Sequence, residues 1–274
     1  HSTPGAGAKL RRAAAGVNGE PGCAVMQERV AMATKSGRGN SFGGARNAKV
    51  KVKSARGRKL SSKLWLERQL NDPYVAEAQR RGLRSRAAFK IIELDERFRF
   101  FRRGQTVVDL GAAPGGWSQV AVGRIGAESA AGGRVVAIDI LEMEPLAGVE
   151  VLLGDFTDPA IPDRLRATCG GPVDIVMSDM AAPATGHQKT DHLRIIGLCE
   201  TALDFAEDVL AADGTFIAKV FQGGAERELL SRLKRRFRSV RHAKPPASRA
   251  ESAETYVVAM GFRPLAAADA PPET

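Results

Sequence analysis

One run of nine residues, Asp109-Leu-Gly-Ala-Ala-Pro-Gly-Gly-Trp117, limits what this chain can fold into more than any other segment. Three β-formers, Thr106-Val107-Val108, lead into it, and an apolar helical pattern from Trp117 to Ile125 leads out. A strand that ends in a glycine turn and restarts as a helix brings backbone close to a ligand and aims helix N–H groups at it. The glycines are spaced Gly111-x-x-x-Gly115-Gly116, with Pro114 inside the turn. That spacing is neither the G-x-G-x-x-G of dinucleotide sites nor the G-x-x-x-x-G-K-[ST] of phosphate loops. Taken alone, a glycine-rich turn is also compatible with nothing more than tight packing.

From Gln105 onward the signals alternate. Strands are expected at Thr106–Leu110, Arg134–Ile140, Val149–Leu153, Val173–Ser178, Thr215–Phe221, Phe237–Arg241 and Thr255–Gly261. Helices are expected at Trp117–Ile125, Pro159–Ala167, Thr190–Leu210 and Ala225–Phe237. Strands separated by helices imply βαβ units, hence an α/β fold with a mainly parallel, Rossmann-like sheet and its ligands at the carboxyl edge. Upstream, Ser61 or Ser62 is a candidate cap for a short helix around Leu64-Trp65-Leu66. Asn71-Asp72-Pro73 starts a second helix with proline in its first turn, and Ser85 is expected to cap a third.

Charge divides the chain. Residues 1–60 hold 13 Lys+Arg against 2 acidic residues, residues 61–104 hold 11 against 6, and residues 105–274 hold 17 against 23. The expected layout is a basic, disordered arm (1–60), a basic helical segment facing RNA (61–104), an α/β domain (105–263) and a flexible tail (264–274). A polyanion is the natural partner of such asymmetry, because each phosphate neutralised releases counterions. Arg80, Arg81, Arg84 and Arg86 continue the charge into segments that look folded; the alternative is a solvated basic tail. Aromatics are 5% of the chain, too few for an aromatic-rich stacking surface. Cys23, Cys169 and Cys199 are widely spaced and suggest reduced thiols rather than a zinc site or disulfides. No apolar run approaches the ~18–20 residues of a membrane span, and no signal-peptide core is present, so a cytoplasmic protein is expected. The sequence begins at His1, and Met26 or Met32 is a candidate natural start.

The combination D-L-G-A-A-P-G-G-W resembles motif I of S-adenosylmethionine-dependent methyltransferases, in the form used by the FtsJ/RrmJ family of RNA ribose 2′-O-methyltransferases. Other blocks extend the resemblance in order: Ser85-Arg86-Ala87-Ala88-Phe89-Lys90, Val176-Met177-Ser178-Asp179-Met180-Ala181, Ala218-Lys219-Val220-Phe221-Gln222-Gly223 and Ser252-Ala253-Glu254-Thr255-Tyr256. It implies a seven-stranded class I methyltransferase fold with an antiparallel last strand. It also implies a catalytic tetrad of Lys90, Asp179, Lys219 and Glu254. S-adenosylmethionine is the implied cofactor, with no metal. Its binding residues would be Asp109, Gly111, Pro114, Gly115, Gly116, Trp117, Asp139, Asp155, Phe156 and Asp179, with Trp117 packing beside the turn. Ribosomal RNA in the large subunit is the implied partner, the A-loop uridine of 23S rRNA the implied target, and a monomer the implied state. The sequence departs from the family pattern after Asp179, where Met-Ala-Ala-Pro-Ala-Thr-Gly stands in place of Met-Ala-Pro-Asn-x-Ser-Gly, and at Ala253, where arginine is usual; both bear on substrate contacts.

Residue chemistry agrees with that assignment. Asp109, Asp139, Asp155 and Asp179 each follow a strand candidate, so a parallel sheet would gather them on one edge. Asp139 is suited to accept from ribose hydroxyls, and Asp155 from an adenine amino group, with Phe156 alongside. Any one of them alone could be a turn or cap residue. A ribose hydroxyl must lose its proton as it attacks, so Lys219 is the candidate base or orienting group. Asp179 and Glu254 would hold its ammonium, and Lys90 would steer the hydroxyl or a phosphate. The alternative is a pair of structural salt bridges. His187 and His192 match no motif and suit surface or helix-start roles. A base-carbon cytosine methyltransferase would need a cysteine near Pro183, and an exocyclic-amine enzyme would need [DN]-P-P-[YF] after the fourth strand; neither is present. A catalytically silent RNA-binding assembly factor and a tRNA 2′-O-methyltransferase stay as alternatives.

Overall fold

The computed structural model describes residues 67, 69–129, 132–183, 185–221 and 227–264. The expected basic arm, the short helix around Leu64–Leu66 and all but the start of the tail lie outside these residues. Two helices, α1 (Pro73–Arg80) and α2 (Ala88–Phe98), precede the sheet. Then follow β1 (Thr106–Leu110), α3 (Gly116–Ile125), β2 (Arg134–Asp139), β3 (Val149–Leu153), α4 (Ile161–Cys169), β4 (Val173–Ser178) and α5 (Gln188–Val209). The fold closes with β5 (Leu210–Phe221), α6 (Arg227–Arg236), β6 (Phe237–Ala243) and β7 (Glu254–Phe262). The strands form one seven-stranded sheet in the order β3-β2-β1-β4-β5-β7-β6. All neighbours are parallel except β5–β7 and β7–β6, so β7 runs against the rest.

The β-branched runs explain why this sheet is covered on both sides. Strand side chains alternate between faces, so a strand buried on both must be apolar at consecutive positions. Val107, Val135, Ile175 and Met177 pack with Ile91 and Leu94 of α2 and Val120 and Ile125 of α3. Their neighbours Val108, Val136 and Val176 face the other way, against Leu165 of α4, Ile196 and Leu203 of α5, and Leu229 of α6. Each fully buried Val, Leu or Ile contributes about 1.5–3 kcal/mol relative to exposure, so these two layers hold the strand ends in place.

Several boundaries differ from expectation for local reasons. Helix α1 starts as expected, with the Asp72 side chain accepting from Tyr74 N at 3.0 Å. Helix α2, by contrast, begins at Ala88 and has no side-chain cap, so Ser85 does not cap it. Helix α4 starts at Ile161 rather than Pro159, because Asp158 Oδ1 first accepts from Ala160 N at 2.9 Å in a turn of its own. Strand β2 stops at Asp139, whose carboxylate turns to accept from Leu141 N at 2.8 Å. Strand β5 begins at Leu210, five residues early, because Leu210 already pairs with Val173 before a register shift to Ile175↔Thr215.

Candidate active site

The antiparallel β7 determines what meets at the sheet edge. Its first residue, Glu254, pairs with Phe221 at the end of β5, and Tyr256 pairs with Lys219. The carboxyl ends of β1, β2, β4 and β5 and the amino end of β7 therefore share one edge. Residues far apart in sequence meet there because every neighbouring strand is in register.

On one side of that edge lies a cavity of about 430 Å³. Gly111, Asp139, Asp155, Phe156 and Asp179 line it, together with Ile140, Leu141 and Met180, whose side chains make its apolar walls. Gly111 has φ +78°, and a Cβ there would come within 2.7 Å of Met180 Cγ, so the turn requires glycine on both counts. Asp139 accepts from Ala113 N at 2.9 Å and Leu141 N at 2.8 Å, tying the glycine turn to the end of β2. It is thus a turn residue and a cavity-wall acceptor at once. Asp155 Oδ1 accepts from Thr157 N and Oγ1, which hold its carboxyl below the usual range. Phe156 is buried edge-on against Phe205, with part of its surface on the cavity.

The other expected binding residues are not among those that line the cavity. Trp117 is buried, donates Nε1 to Ala87 O at 2.9 Å and stacks near Tyr256, a packing role. Gly115 (φ +99°) backs onto Met143 and Arg84, and a Cβ on Gly116 would strike Ser85 Oγ. Pro114 is exposed, and its carbonyl accepts from Arg84 at 3.4 Å. Asp109 is fully buried and accepts from Ser118 Oγ at 2.6 Å, while its Oδ1 has no hydrogen-bond partner among the described residues. Burial first, then the charges of Asp179 and Asp139, pushes its pKa up to about 7.

On the other side of Asp179 the four tetrad residues come together. Lys219 Nζ donates to the Asp179 carbonyl at 2.7 Å and to Asp179 Oδ1 at 2.9 Å. Lys90 Nζ donates to Glu254 Oε2 at 3.0 Å and lies 3.6 Å from Asp179 Oδ2. Both lysine side chains are 8% exposed. Burial acts to raise the Asp179 pKa, but the Lys219 and Lys90 charges, with hydrogen bonds from Lys219 and Tyr256, outweigh it and hold the carboxyl below its ordinary value. Charges this buried persist only when paired and hydrogen-bonded.

Sequence reasoning left one member out. Tyr256 OH donates to Asp179 Oδ1 at 2.7 Å and accepts from Lys90 Nζ at 2.9 Å, bridging the two halves of the cluster. Burial, then the Asp179 and Glu254 carboxylates, drives its phenol well above the ordinary value, so it stays protonated. Its signal was the i,i+2 spacing from Glu254, which puts both on one face of a strand.

Arg84 and Arg86, two of the arginines that carry the basic charge into the folded segments, each hydrogen-bond within the fold. Arg84 holds the carbonyls of Glu144 and Pro145, and Arg86 holds Asp72 and the carbonyl of Ala247. Arg80 and Arg81 both pair with Glu77. His187 is the residue before α5, a helix-start position. Cys169 and Cys199 are both buried. Among the described residues no His/Cys/Asp/Glu group could hold a metal ion, and no helix is long and apolar enough to cross a membrane.

The comparisons with known proteins agree with this geometry. A family model described as FtsJ-like methyltransferase matches residues 83–262, a span that includes all four tetrad residues. The chain is 66% identical over 222 residues to Ribosomal RNA large subunit methyltransferase E of Paramagnetospirillum magneticum, covering 81% of this chain and 91% of that protein. It is 63% identical over 218 residues to the protein of the same name from Xanthobacter autotrophicus, covering 80% and 85%. A solved structure from Plasmodium falciparum, assigned as a ribosomal RNA methyltransferase, matches with a TM-score of 0.58 at 30% identity, covering 65% of this chain and 98% of that one.

Proposed function

This chain belongs to the FtsJ-like methyltransferase family, and from that premise we propose that it methylates a ribose 2′-hydroxyl of large-subunit ribosomal RNA. The methyl donor in this reading is S-adenosylmethionine. The target is the A-loop uridine of 23S rRNA within the large ribosomal subunit, and the enzyme works as a cytoplasmic monomer. The observation that carries the reading is the shared position of Asp179. The same residue lines the cavity and accepts from Lys219 and Tyr256. A donor held in the cavity and a hydroxyl held at the lysines would then be neighbours.

The cavity's donor set fits such a cofactor. Apolar walls from Ile140, Leu141 and Met180 suit a purine, and Asp139 and Asp155 offer carboxylate acceptors for ribose hydroxyls and an exocyclic amine. S-adenosylmethionine supplies an electrophilic methyl group on a sulfonium, and the chain must supply an aligned, activated oxygen. An unprotonated lysine amine has two N–H donors and one lone pair. Lys219 makes two contacts, both to Asp179, which leaves the lone pair of that form for the proton of the 2′-hydroxyl. Asp179 fixes the direction of Nζ, and Tyr256 fixes Asp179. Lys90, paired with Glu254, provides the cation that steers the ribose or its phosphate. Alignment of this kind contributes more to the rate than the proton transfer itself.

The test is methylation of purified large subunits, free 23S rRNA and tRNA with labelled donor, followed by mapping of the modified nucleotide. One alkali-resistant 2′-O-methyluridine in the A-loop is expected. Label on a base, or on tRNA alone, would overturn the assignment.

A further inference from the structure

The loop between β6 and β7 is held by a different part of the chain. Ala247 in that loop is fully buried, and side chains from the α1–α2 segment satisfy both polar groups of its backbone. Its N–H donates to Glu93 Oε2 at 2.7 Å, and its carbonyl accepts from Arg86 Nη2 at 2.6 Å. Each of those two side chains is anchored in turn. The second Glu93 oxygen accepts from Tyr74 OH at 3.2 Å, and Arg86 Nε lies 2.8 Å from Asp72 Oδ2. The next residue in the loop, Ser248, is 5% exposed and donates Oγ to Glu254 Oε1 at 2.8 Å.

A path of hydrogen bonds joined by the Ala247–Ser248 main chain thus runs from Glu93 to Glu254 and on to Lys90. Lys90 and Glu93 stand three residues apart on α2, so one helical turn carries both the lysine and the clamp. The partner of that lysine, Glu254, comes from a strand 164 residues away. Ion-pair attraction alone leaves such a pair free to shift when a ribose or phosphate enters. Gripping the peptide beside Ser248 removes that freedom. The Glu93 carboxyl is itself part-buried, and burial raises its pKa against the hydrogen bonds from Ala247 and Tyr74. The fold therefore accepts a desolvation cost at a site remote from the reacting atoms.

We propose that Glu93 is a positioning residue of the methyl-transfer site, acting through the Ala247 backbone and Ser248 to hold the Glu254 carboxylate against Lys90. The proposal rests on the reading that this cluster is the catalytic centre. Glu93→Ala, Glu93→Gln and Ser248→Ala would be compared with wild type in single-turnover methylation at saturating RNA, with donor affinity measured by calorimetry. Glu93→Ala is expected to bind the donor as wild type does and to lose about 10–100-fold in rate, the scale of hydrogen bonds lost around a charged group. Glutamine can still accept from Ala247 N and donate to the Tyr74 oxygen, so Glu93→Gln should recover most of the rate. Ser248→Ala removes a single oxygen and should slow the reaction in the same direction. Combining it with Glu93→Ala should add little, because both lie on one path. A wild-type rate in folded Glu93→Ala, a Glu93→Gln as slow as the alanine variant, or a wild-type rate in Ser248→Ala would each overturn the proposal. If Glu93→Ala does not fold, the glutamine and serine variants decide the matter. Absence of methyl transfer by wild type itself would instead refute the functional reading.

Discussion

Replacing Tyr256 with phenylalanine removes one hydroxyl and leaves the ring packed against Trp117. That hydroxyl makes two contacts to charged groups, 2.7 Å to Asp179 Oδ1 and 2.9 Å to Lys90 Nζ. Hydrogen bonds of this kind are worth about 1.5–3 kcal/mol each. Neither charge is stranded by the change, since Asp179 keeps Lys219 and Lys90 keeps Glu254. The combined loss should therefore stay near that of a single such bond, about 1.5–3 kcal/mol in total, rather than the sum of two. Expressed on the chemical step, that is a fall of about 10–100-fold in single-turnover rate. Donor affinity should not change, because Tyr256 is absent from the cavity wall. The wild-type pH–rate profile should also show no phenol titration up to pH 10, since the Tyr256 phenol is held above its ordinary value. Single-turnover methylation with saturating RNA, run beside donor calorimetry, isolates these effects. A wild-type rate in Tyr256→Phe would refute the argument that the hydroxyl locks Asp179 and Lys90 together.

Asp139→Ala should weaken S-adenosylmethionine binding by about 1–3 kcal/mol, and Asp155→Ala by less because its carboxylate is more exposed; unchanged calorimetric affinity in both would remove them from the cofactor site. Asp109 predicts a pH effect on stability. Its folded pKa, about 7, is raised from 3.8, so its stabilising contribution is complete below about pH 4 and is lost as pH rises through 7. Asp109→Asn does not ionise, so its stability relative to wild type should improve from pH 5 to pH 8, by no more than about 1.4 kcal/mol per pH unit. Thermal melts in which that difference is flat across the range would show that Asp109 does not titrate there.

Much of this architecture is visible in the order of the residues. β1, β3 and β4 fall where the β-branched runs lie, because each run is bounded by turn residues and its length suits a strand. β5 was harder to place. Ala211, Ala212, Asp213 and Gly214 look like a loop, and only pairing of Leu210 with Val173 across the register shift makes them part of a strand. Ser85 looks like a helix cap, yet its side chain presses on Gly116, a contact that no local pattern reveals. Lys90, Asp179, Lys219 and Glu254 were legible through the blocks that resemble the family's, and the aligned ends of β4, β5 and β7 then bring Asp179, Lys219 and Glu254 to one edge, with Lys90 reaching them from α2. Tyr256 was less so, since a tyrosine among Thr255, Val257 and Val258 reads as core. Charge counts place Arg84 and Arg86 in a basic segment but do not reveal that both also hold backbone carbonyls of the fold. The Glu93–Ala247 contact joins positions 154 apart through a main-chain N–H, which leaves no trace in side-chain pattern.

The central claim is that Lys219, held by Asp179, activates a ribose hydroxyl of ribosomal RNA. Single-turnover methylation of large ribosomal subunits by wild type, Lys219→Ala and Lys219→Arg tests it most directly, with the methylated position mapped in each case. Both variants should fold and bind the donor. Lys219→Ala should lose at least the ~10²–10⁴-fold associated with a positioned acid–base group. Lys219→Arg should not recover it, because a guanidinium keeps its proton near neutral pH. Near wild-type rates in both variants, or a methyl group on a base rather than a 2′-oxygen, would contradict the account.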